Sequence, residues 1–124
     1  MNIINPEEAK TLVDKLGPHI DSRYDFTHTP VFPETRKDIC AISRMAENGS
    51  SFGYNALYLI WKGKQGQLEH KYLMDTKETK DYIHIENIVE DGEQIKLNVY
   101  SGGSFSGTPW KKEFTFQKQE LELD

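Results

Sequence analysis

The sequence predicts a mainly β protein, on the border of the α+β class, in which one amino-terminal helix packs on a curved antiparallel meander of about six strands. Three observations predict it: a capped amphipathic stretch near the start, turn signals at short intervals from Asp38 onward, and alternation of apolar and polar residues in the later strands. The 124 residues suit one domain. It divides into a helix at about 6–16, an irregular segment 18–37, a sheet 38–119 and an acidic tail 120–124.

The helix is predicted by signals that agree with one another. Asn5 can cap the amino terminus and Pro6 suits the first helical position. Apolar residues then recur at i, i+3, i+4 and i+7, namely Ala9, Leu12, Val13 and Leu16. A single apolar stripe has one side to bury, so we expect this helix to lie on the sheet.

The segment 18–37 contains Pro18, Pro30 and Pro33, which exclude a long helix or a central strand. Its apolar residues predict an ordered loop that packs across the domain. Connections of this length are uncommon in compact domains and often carry function.

From Asp38 onward the pattern is that of strands joined by tight turns. We expect the strands near 38–46, 53–62, 67–75, 81–89, 94–101 and 110–119. The connections are too short for crossover helices, so neighbouring strands should be antiparallel. Such a sheet could curl into a partial barrel. The acidic tail could extend the last strand along a sheet edge.

The strand at 53–62 does not alternate. Tyr54, Ala56, Tyr58 and Ile60 would point one way, and Leu57, Leu59 and Trp61 the other. This pattern predicts a strand that is covered on both sides. The helix can supply one cover, and the second could be a curled-over sheet, the 18–37 loop, a second subunit or a ligand.

Composition narrows the function classes. The formal net charge is −5 and the basic residues are scattered, which disfavours nucleic-acid binding. The longest apolar run is too short to span a membrane, and the first residues lack the order of a signal peptide, so we expect a cytoplasmic protein. Cys40, the only cysteine, is expected to be a small core residue. No motif indicates a metal or another cofactor.

Two groups of residues are candidate sites. Aromatic residues of a concave sheet, with one histidine beside them, could bind an apolar ligand; these are Tyr54, Tyr58, Tyr72 and His70. Asp21, Asp25 and His28 in the long loop could act as acid, base or metal ligands. His70 and His84 should point to opposite faces of adjacent strands, which argues against a shared metal site.

Three functions are consistent with these features. The first is a non-catalytic binding or accessory protein that presents its sheet to a protein or an apolar small molecule. The second is a small enzyme, such as a hydrolase, that uses the loop residues Asp21, Asp25 and His28. The third is a structural homo-oligomer joined through a sheet face or edge.

Overall fold

A computed structural model describes residues 3–16, 26–27, 29–46, 55–103 and 106–124. It contains one helix, α1 (Pro6–Leu16), and the strands β1 (Phe26–Thr27), β2 (Ile39–Ala46), β3 (Ala56–Lys62), β4 (Leu68–Asp75), β5 (His84–Asp91), β6 (Gln94–Ser101) and β7 (Trp110–Gln117). The predicted helix and the six predicted strands are all present. The described helices include none that is long and apolar enough to cross a bilayer.

The strands form two antiparallel sheets, with the orders β1-β2-β3-β4 and β5-β6-β7. The mainly β class, the helix and the antiparallel pairing are therefore confirmed. The described strands do not continue as one meander. They divide after β4, and the two sheets stay open rather than closing into a barrel.

The described part of the long amino-terminal loop lies along the edge of β2. β1 pairs with the carboxyl end of β2, and Val31 forms an isolated bridge with Ala41 through two hydrogen bonds of 2.9 Å. Proline is tolerated at a sheet edge because one side of the backbone needs no ladder partner. These described residues therefore pack on the edge of the first sheet.

Helix α1 covers one face of the first sheet. The Glu7 N–H donates to Asn5 Oδ1 at 2.9 Å, so Asn5 is the cap that the sequence predicts. The apolar stripe of the helix packs against alternate residues of β2 and β3, and the buried members of this cluster are Ile4, Ala9, Val13, Cys40, Ile42, Ala56, Tyr58 and Ile60. Burial raises the pKa of the Cys40 thiol to about 12, so the thiol stays protonated and packs as a core residue.

The second sheet covers the other face. Ile39, Ala41, Leu57, Leu59 and Trp61 of the first sheet pack against Ile88, Ile95, Leu97, Val99 and Phe116 of the second. The six residues from Ala56 to Trp61 are all buried. The two-sided burial of β3 is thus confirmed, and its second cover is this chain's own β5-β6-β7 sheet.

Residues 76–83 carry the chain from the first sheet to the second. The Asp81 carbonyl accepts hydrogen bonds from Asn55 Nδ2 at 2.7 Å and from Thr76 Oγ1 at 2.6 Å. Its buried carboxylate accepts from the Ser106 N–H at 2.9 Å, from Ser106 Oγ at 2.7 Å and from Trp110 Nε1 at 3.3 Å. Asp81 therefore joins the crossing segment to the start of β7.

The carboxyl terminus turns back instead of extending β7. The N–H groups of Leu121 and Leu123 donate to the Lys118 carbonyl at 3.1 and 2.9 Å, which forms a compact turn. Leu121 is buried in the core between the sheets. The expectation that the tail prolongs the last strand is wrong, because the alternate leucines cover the end of that core.

A charged network joins the loop before β2, the end of β5 and the carboxyl-terminal turn. Arg36 forms two hydrogen bonds with Asp38, of 2.6 and 2.7 Å, and its Nη1 lies 3.0 Å from Glu90 Oε2. Glu90 also binds Lys118 Nζ and accepts from Thr35 Oγ1 at 2.7 Å. The hydrogen bond from Lys118, followed by that from Thr35, lowers the pKa of Glu90 to about 2.

Glu90→Gln is expected to lower the free energy of unfolding near pH 7 by about 1–2 kcal/mol, because the amide cannot balance the surrounding cations. The pKa of Glu90 falls from 4.5 to about 2 on folding. Its stabilising contribution is therefore fully present above pH 4.5 and is lost as the pH falls through 2. Urea unfolding of both proteins across this range should show the difference shrinking toward zero, and a difference that stays constant would contradict the linkage.

Candidate functional site

The structure brings three of the predicted ligand-binding residues onto one face. Tyr72 of β4 lies opposite Tyr58 of β3, and His70 lies opposite Ile60, all on the helix-facing side of the first sheet. Tyr54 lies outside the described residues, as do Asp21, Asp25 and His28. The candidate site therefore comprises Tyr58, His70 and Tyr72.

The two tyrosines differ sharply in exposure. Tyr58 is 3% exposed beneath α1, whereas Tyr72 is 51% exposed on the outer strand. Their rings meet edge to face, with centroids 5.7 Å apart and planes at 75°. This contact fixes the Tyr72 ring on a buried aromatic neighbour while about half of the residue stays exposed.

A second contact holds the phenol end of Tyr72. Its hydroxyl donates a hydrogen bond to the Asp75 carboxylate, and the Lys77 N–H donates to the same carboxylate at 3.0 Å. These two bonds, with the phenol as the larger cause, lower the pKa of Asp75. The exposed ring is thus held at both ends.

A groove runs between α1 and the beginning of β4. It has a volume of about 470 Å³ and is lined by Asn5, Glu7, Glu8, Thr11, Leu12, Lys15 and Leu68. Leu12 and Leu68 pack against the buried cluster below the helix. The groove therefore has an apolar floor with charged groups along its helical wall.

β4 is the outer strand of its sheet. Among the described residues it pairs with β3 alone, and none of them pairs with its other backbone edge. Residues 68–72, which we call the β4 edge segment, pair regularly with β3, and the register then shifts so that Leu73 has no partner between Tyr72 and Met74. The regular, accessible part of the edge is therefore five residues long.

The β4 edge segment presents different chemistry on its two faces. Leu68, His70 and Tyr72 lie on the helix-facing side, where His70 and Tyr72 are exposed. Glu69 and Lys71 lie on the side that faces the second sheet. Lys71 Nζ lies 5.8 Å from the centre of the Phe116 ring, and the Glu69 carboxylate accepts from Gln67 Nε2 at 3.1 Å.

The described residues provide no group of three or more His, Cys, Asp or Glu side chains that could hold a metal ion. His70 lies on β4 in the first sheet and His84 begins β5 in the second. The expectation that the two histidines lie on adjacent strands is therefore wrong, because β4 and β5 belong to different sheets.

A second cavity, of about 460 Å³, lies between the loop before β2 and β5, lined by Val31, Phe32, Glu34, Thr35 and residues 86–90. Its polar wall includes Glu90, whose carboxylate is already held by Lys118, Arg36 and Thr35. This carboxylate is therefore engaged in joining the two sheets.

The chain matches no protein-family model, and comparisons with curated proteins and with solved structures give no match. The fold itself is a helix and two antiparallel sheets in three layers. The β4 edge segment, with the adjoining groove, is a surface on which an exposed aromatic ring is held in place.

Proposed function

We propose that this chain is a protein-binding module that takes an extended segment of a partner protein at the edge of β4. The observation that carries the proposal is the position of Tyr72, 51% exposed and held in place on a strand that pairs on one side only among the described residues. An open edge strand can hydrogen-bond a further strand, while alternate side chains select it.

The other outer strands are less suited to this role. β7 carries exposed charges on both of its faces, at Lys111, Lys112 and Glu113, and charges on an edge discourage pairing. The charges of the β4 edge segment, Glu69 and Lys71, lie on one face only. β5 has a register shift at Glu86, and the loop before β2 lies across a cavity from it. β4 pairs regularly with β3 from Leu68 to Tyr72, and it presents Leu68 and Tyr72 on one accessible face.

The β4 edge segment also defines the chemistry of its partner. A strand that pairs with it places apolar side chains opposite Leu68 and Tyr72. It places a basic residue opposite Glu69 and an acidic one opposite Lys71, since opposite charges stabilise cross-strand pairs. In the antiparallel direction, the partner segment reads apolar, acidic, any residue, basic, apolar.

An apolar small ligand has less support than a protein. The prediction of such a ligand rested on the need for a second cover over β3, and the chain's own second sheet supplies that cover. A single buried thiol, Cys40, supports the cytoplasmic location that we propose for this module.

The test is site-specific photo-crosslinking in the cells that make the protein. A photoreactive residue at position 70 is expected to give one defined adduct, which Tyr72→Ser weakens by removing the exposed ring. The same photoreactive residue at position 113 on β7 is the control and should give none. Equal adduct patterns at both positions, or no adduct at position 70, would refute the proposal.

A further inference from the structure

We infer that the segment that fits the edge of β4 is β4 of a second copy of this chain, so that the protein forms a symmetric homodimer through this edge. The inference rests on the proposed function, because it names the partner of the same site. The described structure provides two independent supports for it, the order of charges along the strand and the length of its regular part.

The charge order is self-complementary. The β4 edge segment reads Leu-Glu-His-Lys-Tyr, which is the order derived for its own antiparallel partner. With a two-fold axis at His70, Glu69 of each copy lies opposite Lys71 of the other. On the opposite face, Leu68 of each copy lies opposite Tyr72 of the other, and the two His70 side chains meet at the axis.

Neighbouring registers are disfavoured by like charges. An axis at Lys71 places the two Lys71 side chains opposite each other, and an axis at Glu69 does the same with two carboxylates. An axis at Tyr72 sets Glu69 against Asp75 of the second copy. Like charges directly opposite each other destabilise an antiparallel pair, so of these four registers only the axis at His70 sets Glu69 opposite Lys71.

The register shift in β4 selects the same axis. Regular pairing with β3 covers Leu68 to Tyr72 and is interrupted at Leu73. The midpoint of the regular stretch is His70. A ladder centred there uses all five residues without crossing the irregular position. A ladder displaced toward the carboxyl end would extend into Leu73, and one displaced toward the amino end would set Tyr72 opposite Gly66, outside the strand.

In the resulting dimer the first sheets of the two copies form one continuous sheet. A two-fold axis perpendicular to the sheet keeps both α1 helices on one side and joins the two first sheets through adjacent β4 strands. The open backbone edge and the exposed Tyr72 ring are covered in both copies. Because the contact is isologous, it consumes both open β4 edges and stops at two chains.

The experiment is sedimentation of the full chain over a wide concentration range, reaching about 500 μM so that a weak dimer is populated. The monomer has a mass of 14.3 kDa, and the wild type is expected to approach twice this value. Glu69→Lys alone and Lys71→Glu alone should each weaken the dimer by about tenfold or more, because each places like charges at two symmetry-related pairs.

The two single variants also test the register, because mixing them should restore the dimer that each alone has lost. A mixture of them should dimerise, because lysines of one chain face glutamates of the other. The double variant E69K/K71E exchanges the charges within each chain and should bind itself within about threefold of the wild type. Urea unfolding reports the folding of each variant, and Lys71→Glu should shift the unfolding midpoint only slightly, because it loses only the contact of Lys71 with the Phe116 ring.

Glu113→Lys makes the same charge change on β7 and is the matched control, which should dimerise like the wild type. A wild type that stays monomeric at the highest concentration overturns the inference, as do single variants that dimerise normally or a mixture that fails to. If the chain is monomeric but position 70 still crosslinks to a different protein, the homodimer is wrong and the proposed function survives. If position 70 crosslinks to nothing, both are wrong.

Discussion

Leu59→Ala and Ile60→Ala are each expected to lower the free energy of unfolding by about 3 kcal/mol, within the range seen when large buried side chains are truncated. Both residues are fully buried although they are adjacent on β3 and point to opposite faces. Leu59 packs in the core between the sheets, and Ile60 packs beneath α1. Each substitution leaves a cavity in a different layer, and urea unfolding of the two variants measures both.

Val89→Ala is the matched control, because Val89 lies on β5 with 39% of its surface exposed. Its loss should stay below about 1 kcal/mol, since little packing surface is removed. If Leu59→Ala or Ile60→Ala resembled this control, the corresponding face of β3 would not be packed, and the three-layer arrangement would be wrong.

The local features of the fold could be predicted because their causes lie within a few residues. The cap at Asn5 and the stripe on α1 depend on neighbouring positions, and both are found as expected. The absence of alternation around Leu59 correctly indicates burial on two sides. The pattern of apolar residues indicates that a face of the strand is buried, but it does not indicate which element covers that face.

The division into two sheets could not be predicted in this way. Residues 76–83 contain turn-forming residues, and the same local signals suit either a hairpin within one sheet or a crossing between two. The choice depends on contacts distant in sequence, such as the hydrogen bond from Ser43 Oγ to the Ile83 carbonyl at 2.6 Å. Strand order, and with it the open edge of β4, follows from that choice.

The sequence predicts that the residues of the candidate site share one face of the sheet, but it does not predict how exposed each of them is. Tyr58 and Tyr72 share a face because side chains alternate along strands, and the structure places them in contact. A helix is about 10 Å wide with its side chains, and strands lie about 4.8 Å apart, so one helix covers roughly two strands. α1 lies over β2 and β3, which leaves Tyr72 on β4 uncovered.

The role of Asp81 in joining the crossing segment to β7 could not be predicted from the sequence. The pattern places it at the start of a strand, where an acidic residue would ordinarily face water. Its carboxylate accepts hydrogen bonds from Ser106 and Trp110, which are 25 and 29 residues away. Burial of this carboxylate is possible because these donors replace the water that it loses.

Asp81→Ala is expected to lower the free energy of unfolding by about 3 kcal/mol, because it removes a fully buried carboxylate and leaves the part-buried donors of Ser106 and Trp110 without this acceptor. Asp81→Asn keeps the shape but turns one acceptor into a donor, so its loss should be smaller and still clear. Asp91→Ala removes an exposed carboxylate paired with Lys96 and should cost less than about 1 kcal/mol.

The NMR resonance of the Trp110 indole N–H can show whether the loss of stability in the Asp81 variants comes from the loss of this hydrogen bond. This proton donates to the Asp81 carboxylate, so its NMR resonance should move in both Asp81 variants and stay in place in Asp91→Ala. An Asp81→Ala protein with wild-type stability would mean that the contact between the crossing segment and β7 does not hold the sheets together. A loss of stability without movement of the Trp110 resonance would place the cause in other contacts of the carboxylate, such as those from the Ser106 N–H and Oγ.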